Sequence, residues 1–125
     1  MTSIQPEVWV DDPVAAIGFY EAAFEAAVVH RVGEGYDIVA QLSVGDARFW
    51  VALANTDSGR FSPAALQGGT SRMLLVVDDP DEVLRRAVGA GAHELSPVED
   101  EHGWRLGRIT DPFGHEWEIG RPLRP

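Results

Sequence analysis

Val10-Asp11-Asp12-Pro13 and Val77-Asp78-Asp79-Pro80 place the same four residues at two points 67 positions apart in a chain of 125. Each copy follows an apolar run of strand character. Each also supplies an Asp that can accept the free amides of a helix start, then a Pro suited to the first helical position. Glu82, three residues after Asp79, completes a capping-box pattern in the second copy. The phrase therefore reads as strand, cap, helix, written twice. Two equivalent halves packed side by side enclose a cleft, and equivalent positions on both halves face it.

Working outward from the first copy, Pro6–Val10 reads as a strand and 13–26 as a helix, with Ile17, Tyr20 and Phe24 recurring as its buried stripe. Strands are expected at Ala27–Val32, Tyr36–Val44 and Ala47–Ala54, with turns at Gly33-Glu34-Gly35 and Gly45-Asp46. The stretch 55–69, rich in Ser, Pro, Gly and Ala without a sustained period, reads as a linker. From the second copy the pattern predicts a strand at Arg72–Val77 and a helix over 81–90 with Val83, Leu84, Ala87 and Val88 inward. A brief strand at His93–Ser96, an acidic loop at Pro97–Gly103 and strands at Trp104–Thr110 and His115–Gly120 follow. The expected architecture is α+β: one domain of two tandem βαβββ modules, about 4–54 and 70–120, forming a cleft.

Composition bounds what such a domain does. Its length suffices to bury a core, which half of it would not. With no Cys there are no disulfides or thiolate metal sites. The formal net charge is −10 and all ten basic residues are Arg, so the basic footprint that nucleic acid requires is missing. No apolar run approaches membrane-spanning length, and Met1-Thr2-Ser3-Ile4 lacks signal-peptide character. The expectation is a soluble cytoplasmic protein whose partner is neither nucleic acid nor membrane. An acidic surface suits solubility and draws cationic small molecules.

Paired βαβββ units, the phrase Asp12-Pro13-Val14-Ala15-Ala16-Ile17-Gly18-Phe19-Tyr20 and the phrase Asp111-Pro112-Phe113-Gly114-His115-Glu116-Trp117-Glu118-Ile119 resemble the vicinal oxygen chelate superfamily. That superfamily includes glyoxalase I, extradiol dioxygenases, fosfomycin-modifying enzymes and bleomycin-resistance proteins, so the resemblance implies a fold more than a chemistry. In its metal-dependent members four side chains meet in the cleft, from the first and last strand of each unit. Register against the Asp-Pro motifs carries those positions to Gln5, Trp50, Arg72 and Glu118. Gln5 and Glu118 alone are of ligand type, and Arg72 places a fixed cation where a metal would sit. No metal or other cofactor is expected. His30, His93, His102 and His115 show no ligand spacing together.

Strand alternation extends these four positions to a surface. Glu7 and Trp9 accompany Gln5, Arg48 and Ala52 accompany Trp50, Leu74 and Val76 accompany Arg72, and Glu116 accompanies Glu118; the intervening residues are strongly apolar. Trp104, after the acidic loop, joins them if that loop closes over a ligand; otherwise the loop is an exposed hairpin. The candidate ligand-binding set is thus Gln5, Glu7, Trp9, Arg48, Trp50, Arg72, Trp104, Glu116 and Glu118, with no catalytic residue assigned. Aromatic faces beside a few oriented polar groups suit a flat, partly polar or cationic small molecule. In the alternative, the Arg and Glu side chains neutralise one another and the Trp residues fill a dimer interface.

No nucleophile elbow or phosphate-cradling Gly loop competes. The resemblance and the incomplete ligand set imply a non-catalytic protein that sequesters an aromatic or DNA-damaging antibiotic of the bleomycin, mitomycin or enediyne type. The alternatives are a metal-dependent glyoxalase-type lyase, isomerase or dioxygenase, and a metabolite-binding relative. The resemblance, with the open sheet edges such modules leave, also implies a homodimer.

Overall fold

The computed structural model describes residues 1–124. Its strands are β1 (Glu7–Val10), β2 (Ala27–Val32), β3 (Val39–Val44), β4 (Ala47–Leu53), β5 (Arg72–Val76), β6 (His93–Glu101), β7 (Trp104–Thr110) and β8 (Glu116–Pro122). The helices are α1 (Pro13–Phe24), α2 (Pro63–Leu66) and α3 (Pro80–Gly89). The strands form two four-stranded sheets, ordered β1-β4-β3-β2 and β5-β8-β7-β6. In each sheet the first strand runs parallel to the last and the remaining pairs are antiparallel. The fold is therefore α+β, with the same topology in both sheets.

Both Asp-Pro motifs act as helix starts. Asp12 Oδ1 accepts from the Ala15 amide at 3.1 Å and Asp79 Oδ1 from the Glu82 amide at 3.2 Å, each satisfying one of the donors a helix start leaves free. The Glu82 carboxylate turns outward to Arg85, at 2.5 and 2.9 Å. α1 stops at Phe24, because Glu25 takes the left-handed conformation (φ 57°).

Three local expectations are revised. Residues 35–37 form a 3₁₀ turn, so β3 begins at Val39 instead of Tyr36; Gly33, at φ 79°, has no room for a Cβ beside the Asp37 carbonyl. The acidic stretch is not a loop. Glu99, Asp100 and Glu101 are strand residues opposite Leu106, Arg105 and Trp104, and β6 accommodates the irregular part of its sequence through register shifts between Glu94 and Glu99. Guanidiniums offset the repulsion among these carboxylates, Arg105 pairing with Asp100 and Arg108 with Glu101, both at 2.9 Å. The chain reverses at His102 (φ 52°) and Gly103 (φ 83°), the two positive φ values a tight hairpin turn requires. Finally, Val88 points to solvent while Leu84 and Ala87 are buried.

The core lies between the helices and one face of each sheet. Val8, Val10, Phe49 and Val51 from the first sheet meet Leu75, Ile109, Trp117 and Ile119 from the second around Tyr20 and Phe24 of α1. Tyr20 stands edge-on to Phe49 with ring centroids 5.2 Å apart, and lies 5.6 Å from Trp117. At its centre sits one charged residue. Asp111, 3% exposed, accepts at Oδ2 from Tyr20 Oη (2.5 Å) and Trp117 Nε1 (3.0 Å), and at Oδ1 from the amides of Phe113 (2.9 Å) and His115 (3.0 Å). A buried carboxylate persists when its lone pairs are filled in this way. The Asp-Pro-Phe-Gly phrase thus shapes the β7–β8 turn and ties it to α1. No helix among the described residues is long and apolar enough to cross a membrane.

Candidate functional site

The faces of the sheets turned away from the core carry most of the polar strand residues together with Trp9 and Trp50. On β1, buried Val8 and Val10 alternate with exposed Glu7 and half-buried Trp9; on β4, buried Phe49 and Val51 flank half-buried Trp50. In register, Glu7 lies opposite Trp50, and Gln41 of β3 lies on Trp50's other side. Gln5, just before β1, closes a small array: its Oε1 accepts from Gln41 Nε2 and from Trp50 Nε1, both at 2.9 Å. The His30 ring stands edge-on to Trp50 at 5.9 Å.

The second sheet presents a ladder of alternating charge. Arg72 of β5 pairs with Glu116 at 2.9 Å and Glu118 at 3.3 Å, both on β8; Arg108 of β7 pairs with Glu118 at 2.9 Å and with Glu101 of β6. Glu118, its side chain 15% exposed, is thus held between two guanidiniums. Cross-strand register dictates this, since Arg108 lies opposite Glu118 and Arg72 opposite Glu116.

A cavity of about 800 Å³ joins the two faces. Glu7 and Trp9 line it from the first sheet, Arg72, Thr110, His115 and Glu116 from the second, and Phe61, Leu66 and the Gly68–Ser71 segment from the connection between them. His115 Nε2 meets the Trp9 carbonyl oxygen at 2.8 Å, which fixes a proton on Nε2 and anchors the free edge of β1 to the β7–β8 turn. Four of the nine sequence-derived candidates therefore share this space: Glu7, Trp9, Arg72 and Glu116. Glu118 and Trp50 stand outside its lining, one in the ion ladder and one in the Gln5 array. Gln5 and Arg48 border a second cavity of about 540 Å³ with Ile4, Met73 and Leu74. Trp104, half-buried at the start of β7, lines neither cavity.

Several lining residues escaped the sequence reading. Thr110 was accessible to it, because alternation along β7 puts it, with Arg108 of the ion ladder, on the face of Glu116 and Glu118 once that pairing is known. Phe61 and Leu66 were not: they belong to the connecting segment, where no period reports direction. That segment contains a 3₁₀ turn (Thr56–Ser58) and α2, capped by Ser62 Oγ accepting from the Ala65 amide at 3.2 Å. Pro63 packs so close to Gly114 that a Cβ there would lie 2.8 Å from its ring.

Residues 7–120 match the family model described as a glyoxalase-like domain. The chain belongs to the glyoxalase-like domain family, within the vicinal oxygen chelate superfamily. An uncharacterized protein of Mycobacterium tuberculosis (strain H37Rv) is 34% identical to this glyoxalase-like chain, covering 98% of it and 75% of that protein. Among solved structures, a glyoxalase-related enzyme from Fulvimarina pelagi superposes with a TM-score of 0.74 at 23% identity, over 97% of this chain and 88% of that one. TnmS3, an antibiotic binding protein from Streptomyces sp. CB03234, superposes with a TM-score of 0.73 at 20% identity, over 98% and 97%. At those identities the two structures speak to the fold.

The glyoxalase-like fold raises the question of a metal, and the donor set answers it. Gln5 Oε1 already accepts two hydrogen bonds, Trp50 has no donor atom to give, Arg72 is cationic and Glu118 is neutralised by two guanidiniums. An oxophilic cation needs several free oxygen or imidazole ligands. Among the described residues no group of three or more His, Asp or Glu is placed to hold one. These residues do not fit a divalent metal.

Proposed function

We propose that this glyoxalase-like protein binds an aromatic small molecule without transforming it, in the manner of a drug-sequestering resistance protein for bleomycin-, mitomycin- or enediyne-type antibiotics. The observation that carries the reading is the engagement of the superfamily's metal positions by other partners: Gln5 Oε1 by Gln41 and Trp50, Glu118 by Arg72 and Arg108. A cavity of drug-binding size beside Trp9 supports it. So does the use of the same fold by an antibiotic binding protein.

Calorimetric titration against bleomycin, mitomycin C and an enediyne chromophore tests the reading, with Mn²⁺ and Zn²⁺ titrated in parallel. One of the drugs is expected to bind at one site per chain. Trp9→Ala should weaken it about tenfold, as expected when stacking against one indole is lost, while the circular dichroism of the fold persists. Tight binding of one metal ion per chain, abolished by Glu118→Gln, would overturn the reading in favour of a metal-dependent enzyme.

We also propose that the protein acts as a homodimer. All six residues of the edge strand β2 are exposed, Val28, Val29 and Val32 among them, and Leu74 and Val76 are exposed on β5. Open edges with apolar side chains are surfaces that proteins normally cover. Sedimentation velocity at micromolar concentration should find a dimer; a monomer removes this part of the proposal.

A further inference from the structure

The charges lining the larger cavity are unequal in availability, and the inequality points to the charge of what it holds. Its single guanidinium, Arg72, is engaged by two carboxylates, Glu116 at 2.9 Å and Glu118 at 3.3 Å. Glu7 is different. Its exposed side chain lines the same cavity and has no ion-pair partner among the described residues. An anion entering this space meets Glu7 and Glu116 and finds a cation whose charge is already matched. A cation meets an unmatched carboxylate with Trp9 next but one to it on the same strand face. The electron-rich face of an indole favours a positive charge held over it, and more so where water is partly excluded. Phe61, 43% exposed, and Leu66, 50% exposed, line the cavity from the connecting segment, so apolar surface there awaits a partner.

We propose that this cavity takes a planar aromatic cation, its ring against Trp9 and its positive charge at Glu7. The inference rests on the binding reading above and narrows it: an amine- or amidine-bearing ring system is selected, and carboxylates and phosphonates are refused.

Three tricyclic probes of matched size test it by isothermal titration calorimetry at neutral pH: 9-aminoacridine as the cation, acridine as its neutral counterpart and 9-anthracenecarboxylate as the anion. Binding of 9-aminoacridine is expected to be at least tenfold tighter than that of acridine, with the carboxylate weakest, and the preference should shrink as salt is added. Glu7→Gln should remove most of the cation preference and leave acridine binding as it was. Glu21→Gln, which removes the same charge from the exposed side of α1, should leave the preference intact. Equal affinity for all three probes, or equal effects of the two substitutions, overturns the charge assignment while the binding reading stands. If none of the three binds, the charge assignment falls, and the binding reading is decided by the antibiotic titrations.

Discussion

Asp111→Ala is expected to cost about 4 kcal/mol of folding stability, a large share of what a domain of this size possesses. The carboxylate accepts four hydrogen bonds, from the Tyr20 hydroxyl, the Trp117 indole and two backbone amides of its own turn, and it is 3% exposed. Removing it strands two buried donors, the Tyr20 hydroxyl and the Trp117 indole, and two half-buried amides of the turn. Each unsatisfied donor costs roughly 1–3 kcal/mol, less than additively where the neighbours relax. Asp111→Asn keeps one acceptor for the two amides but turns an NH₂ toward the indole donor, so a loss of about 2 kcal/mol is expected. Urea titration at constant m-value measures both; a loss below about 1 kcal/mol for the alanine variant would show that the turn reorganises freely. The same contact has an alkaline signature. Burial first, and then the Asp111 charge, hold the Tyr20 hydroxyl well above the ordinary value near 10. The folded state therefore keeps a proton that the unfolded chain releases above about pH 10. Stability present below that pH is lost as pH rises toward the folded value, at up to about 1.4 kcal/mol per unit. Tyr20→Phe should flatten that slope.

The network also shows where sequence reading reaches and where it stops. Alternation in β1, β4, β5 and β8 placed the apolar set on one face, because a period of two is a geometric consequence of the strand; Val8, Val10, Phe49, Val51, Leu75, Trp117 and Ile119 are all buried. The Asp-Pro motifs marked both helix starts, because a cap acts over three residues and is local. Asp111 stood in plain view within its phrase, yet its partner Tyr20 is 91 positions away, a distance no local period spans. The second half of β6, beyond the strand expected at His93–Ser96, went unread for a related reason. Its acidic run is neutralised by Arg105 and Arg108 on the neighbouring strand, Arg105 being shared with Asp81 of α3. The candidate site divides along the same line. Glu7, Trp9, Arg72 and Glu116 lie on strands whose faces could be assigned, whereas Phe61 and Leu66 come from a segment that has no face until it folds over the others.

Glycine presents the sharpest case of a position whose role is set by its neighbours, and it yields the second large effect. Gly18→Ala and Gly120→Val look alike in sequence, small residues enlarged within regular elements, and opposite outcomes are expected. Gly18 is exposed within α1, and a Cβ there meets no atom within 4 Å; alanine should stabilise by about 0.5–1 kcal/mol through helix propensity and the lower entropy of the unfolded chain. Gly120 sits in β8 between Val76 of β5 and Leu106 of β7. A Cβ there would lie 2.6 Å from Leu106 Cβ and 2.7 Å from the Arg105 carbonyl oxygen, atoms fixed to the backbone of β7. Neither can swing aside as a side-chain tip would, so valine must part β7 from β8 at a cost of about 3 kcal/mol. That parting begins two residues from Glu118 and two from Arg108, the pair whose 2.9 Å contact is the middle rung of the charge ladder. Gly120→Val should therefore lower stability and also free Glu118 from one of its guanidiniums. Chemical denaturation reads the first effect, and the Glu118 carboxylate carbon and Arg108 Nε chemical shifts at neutral pH read the second. An unchanged midpoint would show that the two strands are less closely packed than the Leu106 contact requires.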